Sequence, residues 1–94
     1  MRNSTVIVSW DEGLHMRAAA RLVRCAQKFQ STVLIKCSGQ IANARNILSI
    51  LALCAALGAA LEIEAVGDDE QEALVAMEAI FKAPDAAPVD SKAV

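Results

Sequence analysis

The chain has 94 residues, of which 55% are hydrophobic and 21% are charged, and its formal net charge at pH 7 is -2. This composition excludes a disordered protein, which would carry fewer apolar residues and more net charge, and the length predicts one domain with one core. Residues 1–60 hold seven Lys and Arg against two Asp and Glu, whereas residues 61–94 hold two against nine. The basic half favours an acidic protein partner over a nucleic acid.

The first predicted elements are a strand and a helix joined by a loop. Residues 5–9 form a β-branched run that is typical of a short strand. From residue 16 the apolar side chains recur at helical spacing, which predicts a helix over residues 16–27. Four cations follow one another along the polar face of this helix, either as a solvated face or as a docking surface: Arg17, Arg21, Arg24 and Lys28.

A hairpin and a second helix are predicted next. Val33, Ile35 and Cys37 alternate with more polar residues, and Ser38-Gly39 supplies the turn into another short strand. After the hairpin, the Asn46 side chain is expected to cap a helix. That helix is apolar on two faces, so either its Ile50 and Leu53 face or its other face must be exposed or meet a partner. The other face comprises Ile47, Leu48 and Leu51.

The last predicted elements are a strand over residues 60–66 and a third helix. Asp69 and Glu72 are spaced as in a capping box at the start of that helix. The element order is therefore β-α-β-β-α-β-α, which predicts an α+β sandwich with the helices on one side of an antiparallel sheet. This domain is expected to span residues 1–82, followed by a flexible Ala/Pro-rich tail over residues 83–94.

Cysteine spacing and hydropathy exclude several classes of protein. The chain has three cysteines, Cys25, Cys37 and Cys54, whose wide spacing and odd number indicate neither a zinc site nor a disulfide framework. We therefore expect reduced thiols and neither a metal nor a cofactor. The uncharged stretch over residues 47–61 is shorter than the roughly 20 residues that a bilayer requires. We therefore expect a cytoplasmic monomer without membrane insertion.

His15, the only histidine, precedes the first turn of the predicted first helix. It could be a nucleophile, a switch or a structural side chain. A ring nitrogen can accept a group covalently. If that group is a phosphoryl, the helix start around Met16 and Ala18 supplies amides and partial positive charge, and Arg17 supplies a planar donor fork. These three residues are the candidate phosphate-binding residues.

Three stretches carry a resemblance that covers the chain from about Thr5 to Phe81: GLHMRAAARLVRCAQKF, GQIANARNILSILAL and GDDEQEAL. They are similar to the HPr family, the histidine phosphocarrier proteins of the phosphoenolpyruvate-dependent sugar phosphotransferase system. The resemblance implies an open-faced β-sandwich, with a four-stranded antiparallel sheet and three helices on one face. It also implies a carrier protein and not an enzyme.

The resemblance further implies a relay in sugar transport or its regulation. Phospho-enzyme I would phosphorylate Nδ1 of His15, Arg17 would steady the phosphoryl group, and an enzyme IIA domain would receive it. The apolar face of Ile47, Leu48 and Leu51 and the basic row of the first helix would dock these partners.

This chain departs from the family pattern at three positions. Ala18 replaces a common proline, and Cys54 stands where glycine is common. Asn46 replaces a serine that a kinase phosphorylates in many members, and it has no hydroxyl to modify.

Two other functions stay open from the sequence. A regulatory HPr-like binding module would dock partners without productive phosphoryl transfer, although the retention of His15 and Arg17 argues against it. An RNA-binding α+β domain is disfavoured because the chain is acidic and only 3% aromatic.

Overall fold

The structure, a computed structural model, describes residues 1–83. Its seven elements confirm the order β-α-β-β-α-β-α predicted from the sequence. The predicted tail, residues 83–94, lies outside the described residues except for Ala83. The elements, in chain order, are β1 (Arg2–Ile7), α1 (Met16–Ala26), β2 (Thr32–Cys37), β3 (Gln40–Asn43), α2 (Ile47–Ala52), β4 (Ala60–Val66) and α3 (Glu70–Lys82).

The four strands form one antiparallel sheet in the order β1-β4-β2-β3. Successive side chains of a strand point to opposite faces, so one face of the sheet collects the apolar residues. Val33 and Ile35 of β2 and Leu61 and Ile63 of β4 are buried on that face. The helices cover it, and the opposite face stays open to solvent. The predicted α+β sandwich is therefore confirmed.

The helices are arranged around α1. This helix contacts α2 and α3, while α3 packs on β1, β4 and β2 and α2 packs on β3. Ala19, Leu22 and Ala26 form the buried stripe of α1, as the helical spacing predicted. Within residues 1–83, none of the helices is long and apolar enough to cross a bilayer.

The prediction for the first strand was wrong at both ends, because β1 spans residues 2–7 and not residues 5–9. Pairing with β4 sets the limits of β1, from Arg2 opposite Ala65 to Ile7 opposite Ala60. The polar residues at the start of β1 have low intrinsic strand preference, so tertiary pairing overrides local sequence there. At the other end, the Val8 amide donates to the carbonyl of Ala59, in the loop that precedes β4, at 2.9 Å.

The predicted hairpin between β2 and β3 is confirmed. Ser38 and Gly39 have φ values of 51° and 83°, and Cys37 pairs with Gln40 across the turn. Two consecutive positive φ values are typical of the tight turns that match the twist of a hairpin. The β2–β3 connection thus follows from its two turn residues.

The capping box predicted at Asp69 and Glu72 was wrong. Asp69 occupies the N-cap position of α3, but its carboxylate makes no cap hydrogen bond. It accepts instead from the backbone amides of Gln30 and Ser31, at 3.0 and 2.9 Å, and from the Ser31 hydroxyl. Asp69 therefore fastens the α1–β2 loop to the start of α3, a long-range contact that local spacing does not reveal.

These donors make Asp69 a source of pH-dependent stability. The Ser31 hydroxyl and then the Gln30 amide stabilise the ionised carboxylate and hold the pKa of Asp69 below its usual range. A carboxyl whose pKa is lowered by folding stabilises the fold above its unfolded pKa, and this contribution is lost as the pH falls through the folded pKa.

We therefore predict that Asp69→Asn lowers the melting temperature at pH 7 and that its deficit relative to wild type shrinks below about pH 4. Thermal unfolding of both proteins between pH 7 and pH 3 would measure this difference. A deficit that stays constant over the whole range would contradict the role assigned to the Asp69 carboxylate.

Candidate functional site

His15 is the N-cap residue of α1, as the sequence predicted. Its backbone is extended, with φ -92° and ψ 177°, and its carbonyl accepts the Ala19 amide at 2.9 Å. Its side chain makes no cap hydrogen bond and is 22% exposed. The imidazole is thus partly accessible at the end of α1 and is not used to cap the helix.

A backbone contact with the α2–β4 loop holds the segment that precedes His15. The Leu14 amide donates to the Ala55 carbonyl at 2.8 Å, and the Gly13 amide donates to the Trp10 carbonyl at 2.8 Å. Gly13 has φ +72°, and a Cβ at this position would lie 2.5 Å from the Ala55 oxygen. Only glycine fits both the conformation and the space. The contact fixes where α1 and its N-cap begin.

Two residues that the sequence analysis did not single out contact the imidazole. The His15 Nε2 lies 3.8 Å from Glu12 Oε1, and the Trp10 ring meets the imidazole edge-on, with centroids 6.1 Å apart and an interplanar angle of 66°. The alternation of Val6, Val8 and Trp10 is a sequence signal that could have placed the indole inward. The contact of Glu12 depends on the loop conformation, which has no such periodic signal.

The three candidate phosphate-binding residues differ in their exposure. Met16 and Arg17 are exposed, whereas the methyl group of Ala18 lies fully in the core. All three belong to the first turn of α1, where backbone amides lack partners within the helix and attract anions. Ala18 can therefore contribute only its backbone amide, and Arg17 is the exposed cation nearest to His15 in the chain.

The structure brings three of the four cations of the predicted row together beside α3. Arg21, Arg24 and Lys28 line a groove of about 590 Å³ between α1 and α3. Cys25 also lines the groove. The apolar side of the groove is formed by Ala76, Ala79 and Ile80. We call Arg21, Arg24 and Lys28 the basic surface. The predicted row is wrong for Lys28, which lies beyond the C-terminal end of α1, while Arg17 lies in the first turn of this helix.

The second helix presents the apolar face that the sequence predicted. The Asn46 side chain accepts the Ser49 amide at 3.1 Å, which confirms the predicted cap. Ile50 is buried, whereas Leu48 is 73% exposed and Ile47 and Leu51 are half-buried. We call these last three residues the α2 patch.

Cys54 adopts the conformation that explains why glycine suits this position. It follows the C-cap residue Leu53 and has φ 53°, in the left-handed region. Helices commonly end in this way with glycine, whereas a side chain there costs about 1–2 kcal/mol. The replacement of the common glycine by Cys54 therefore strains the backbone at the end of α2.

We predict that Cys54→Gly stabilises the protein by about 0.5–1 kcal/mol. The relief of left-handed strain exceeds the entropy that glycine adds to the unfolded chain. Chemical denaturation measures the change, and Cys54→Ala is the control because it removes the thiol but keeps the strain. Equal stabilisation by both variants would show that the thiol, and not the backbone, is responsible.

The cysteines and the acidic residues form no further site in the described chain. All three cysteines are free, with Cys25 and Cys37 buried and Cys54 exposed. Burial raises the pKa of the Cys25 thiol, so it stays protonated at neutral pH. Among residues 1–83, no group of three or more His, Cys, Asp and Glu side chains could hold a metal ion.

The fold and the site together define a class: a small open-faced α+β sandwich with one partly exposed histidine at the start of its first helix. The model of the family described as "PTS HPr component phosphorylation site" matches residues 3–83. The chain belongs to the HPr family, the phosphocarrier proteins of the phosphotransferase system (PTS).

Individual relatives agree with this assignment. Phosphocarrier protein HPr of Xylella fastidiosa (strain 9a5c) is 34% identical over 82 residues, which cover 87% of this chain and 92% of the relative. Phosphocarrier protein NPr of Klebsiella oxytoca is 39% identical over 80 residues, covering 84% and 89%. The crystal structure of HPr-C-His from Thermoanaerobacter tengcongensis is 33% identical, with a TM-score of 0.84 and coverage of 87% and 92%.

Proposed function

We propose that this chain accepts a phosphoryl group from phospho-enzyme I on Nδ1 of His15 and passes it to an enzyme IIA domain, in sugar transport or its regulation. The observation that carries the proposal is the position of the only histidine, partly exposed as the N-cap of α1. In this relay the protein is a carrier that is regenerated after each transfer, and not an enzyme.

The first turn of α1 is suited to a phosphoryl group on the neighbouring imidazole. The helix dipole and the first-turn amides of Met16 and Ala18 stabilise an adjacent anion by about 0.3–1 kcal/mol. The exposed Arg17 guanidinium adds a full positive charge with parallel donors. Because these interactions are modest, they would hold the phosphoryl group without preventing its onward transfer.

Docking would use the α2 patch and the cations beside α3. The α2 patch supplies apolar contact area on a helix that contacts α1, and Arg21, Arg24 and Lys28 supply positive charge along the groove between α1 and α3. Complementary charge speeds encounter with an acidic partner, and a small apolar contact keeps the complex short-lived. Both properties suit a carrier that exchanges partners in every cycle.

The proposed relay also involves the oligomeric state, the cellular location and position 46 of the chain. A monomeric state lets the α2 patch and the basic surface face a partner, and the relay would operate in the cytoplasm. Asn46 has no hydroxyl, so we expect no kinase-dependent phosphate at this position. The flexible tail over residues 83–94 stays a prediction.

The direct test is phosphorylation of variants with enzyme I of the host and phosphoenolpyruvate. We predict that His15→Ala abolishes incorporation of acid-labile phosphate but keeps the fold, because the imidazole is not part of the apolar core. Arg17→Ala should slow transfer several-fold without ending it, since the helix amides remain. Labelling of a folded His15→Ala protein would overturn the proposal.

The α2 patch has its own test. We predict that Leu48→Ala raises the Kd for enzyme I about tenfold. The substitution removes an exposed side chain that would be buried when the partner docks. Ile41→Ala is the matched control, since Ile41 is also exposed but lies on β3 in the sheet. Isothermal titration with both variants measures the difference. Equal affinities for Leu48→Ala and wild type would place the docking surface elsewhere.

A further inference from the structure

The imidazole of His15 lies between two side chains of the loop that precedes α1. Glu12 Oε1 is 3.8 Å from Nε2, and the Trp10 ring lies against the imidazole edge-on. Glu12 is 80% exposed, so its side chain can move toward Nε2 without disturbing the core. A water molecule or a small rotation of this side chain would complete a hydrogen bond from Nε2–H.

Trp10 gives the imidazole a fixed wall. Its side chain is buried, stacks on Phe81 with centroids 5.4 Å apart, and donates its indole N–H to the Ala83 carbonyl at 3.1 Å. An indole held by packing and by a hydrogen bond loses little further freedom when the imidazole rests on it. Trp10 therefore limits how far the imidazole ring can rotate to carry Nε2 away from Glu12.

A carboxylate beside one ring nitrogen selects the tautomer of a neutral histidine. The proton is favoured on the nitrogen that faces the negative charge, and the lone pair then lies on the other nitrogen. In His15 the nitrogen near Glu12 is Nε2. We propose that Glu12 is a positioning residue that keeps His15 in the Nε2–H tautomer, so that Nδ1 is the nucleophile; this inference rests on the proposed function.

The transfer balances with the proton in this place. The Nδ1 lone pair forms the N–P bond, and the atom of phospho-enzyme I that leaves phosphorus keeps the electron pair of the bond that breaks. The His15 ring gains positive charge while Nε2 retains its proton, and Glu12 stabilises that charge. Onward transfer reverses these steps, with the acceptor nucleophile forming the new bond to phosphorus and Nδ1 recovering its lone pair.

The tautomer can be measured without any phosphoryl transfer. Two-bond and three-bond ¹H–¹⁵N correlation spectra of the intact protein, recorded at about pH 9, report which imidazole nitrogen carries the proton, because free imidazole is neutral at this pH. We expect mostly Nε2–H in wild type. Glu12→Ala should lower the ratio of Nε2–H to Nδ1–H about two- to fivefold, as an exposed charge contact permits.

Three further variants separate positioning from general charge. Glu12→Asp should restore much of the tautomer ratio, and Glu12→Gln should restore less because its acceptor is neutral. Asp11→Ala removes a carboxylate from the adjacent position and should leave the ratio as in wild type. The initial rate of phosphorylation by phospho-enzyme I should fall with the Nε2–H fraction across the series.

The outcomes are distinguishable from those of the proposed function. An unchanged tautomer ratio in Glu12→Ala would overturn the role of Glu12, whatever the phosphorylation assay shows. Equal shifts in Asp11→Ala and Glu12→Ala would also overturn it, because the effect would then be one of net charge. If the tautomer series behaves as expected but wild type accepts no phosphate, the proposed function fails while the contact of Glu12 with His15 stands.

Discussion

The site depends on one backbone contact, in which the Leu14 amide donates to the Ala55 carbonyl beside Gly13. This hydrogen bond joins the loop before α1 to the loop before β4. Gly13 allows the approach because any Cβ would meet the Ala55 oxygen. The sheet positions the Ala55 loop, and the helix begins where that loop holds the chain. The place of His15 is therefore decided by tertiary structure as much as by the local motif.

The C-terminal end of α3 reaches the same site through Trp10. Its ring lies between Phe81 and His15, and its indole N–H reaches the Ala83 carbonyl. At the other end of α3, Asp69 holds the α1–β2 loop. α1 thus begins beside one anchored loop and leads into a second one, which limits how far its N-terminus can move relative to the sheet. In the proposed relay, a rigid start of the helix would present His15 to successive partners in the same geometry.

Charge is divided in a way that suits exchange between partners. Two cations of α1 and Lys28 in the loop after it lie beside a groove whose other wall is α3, and the α2 patch lies on a helix that also contacts α1. Small contacts with complementary charge give fast association and fast release. In the proposed relay, the fold would therefore combine a fixed nucleophile with surfaces suited to brief encounters.

The sequence predicted those features that rest on periodicity or on local turn chemistry. The helical stripe of α1, the Ser38-Gly39 turn and the Asn46 cap all follow from neighbouring residues, and the structure confirms each of them. The start of β1 and the partners of Asp69 were not predictable in this way, because they depend on pairing with residues distant in sequence. The contact between Glu12 and His15 was missed for the same kind of reason, since a loop conformation sets it.

The central claim is that His15 carries the phosphoryl group on Nδ1. The most direct measurement is ³¹P NMR of wild-type protein after incubation with phosphoenolpyruvate and enzyme I of the host, combined with mapping of the labelled residue by mass spectrometry under alkaline conditions. The account predicts one resonance of Nδ1-phosphohistidine, lost on acidification, with the phosphate on His15. A resonance of Nε2-phosphohistidine, an acid-stable phosphate on a hydroxyl, or no incorporation would contradict it.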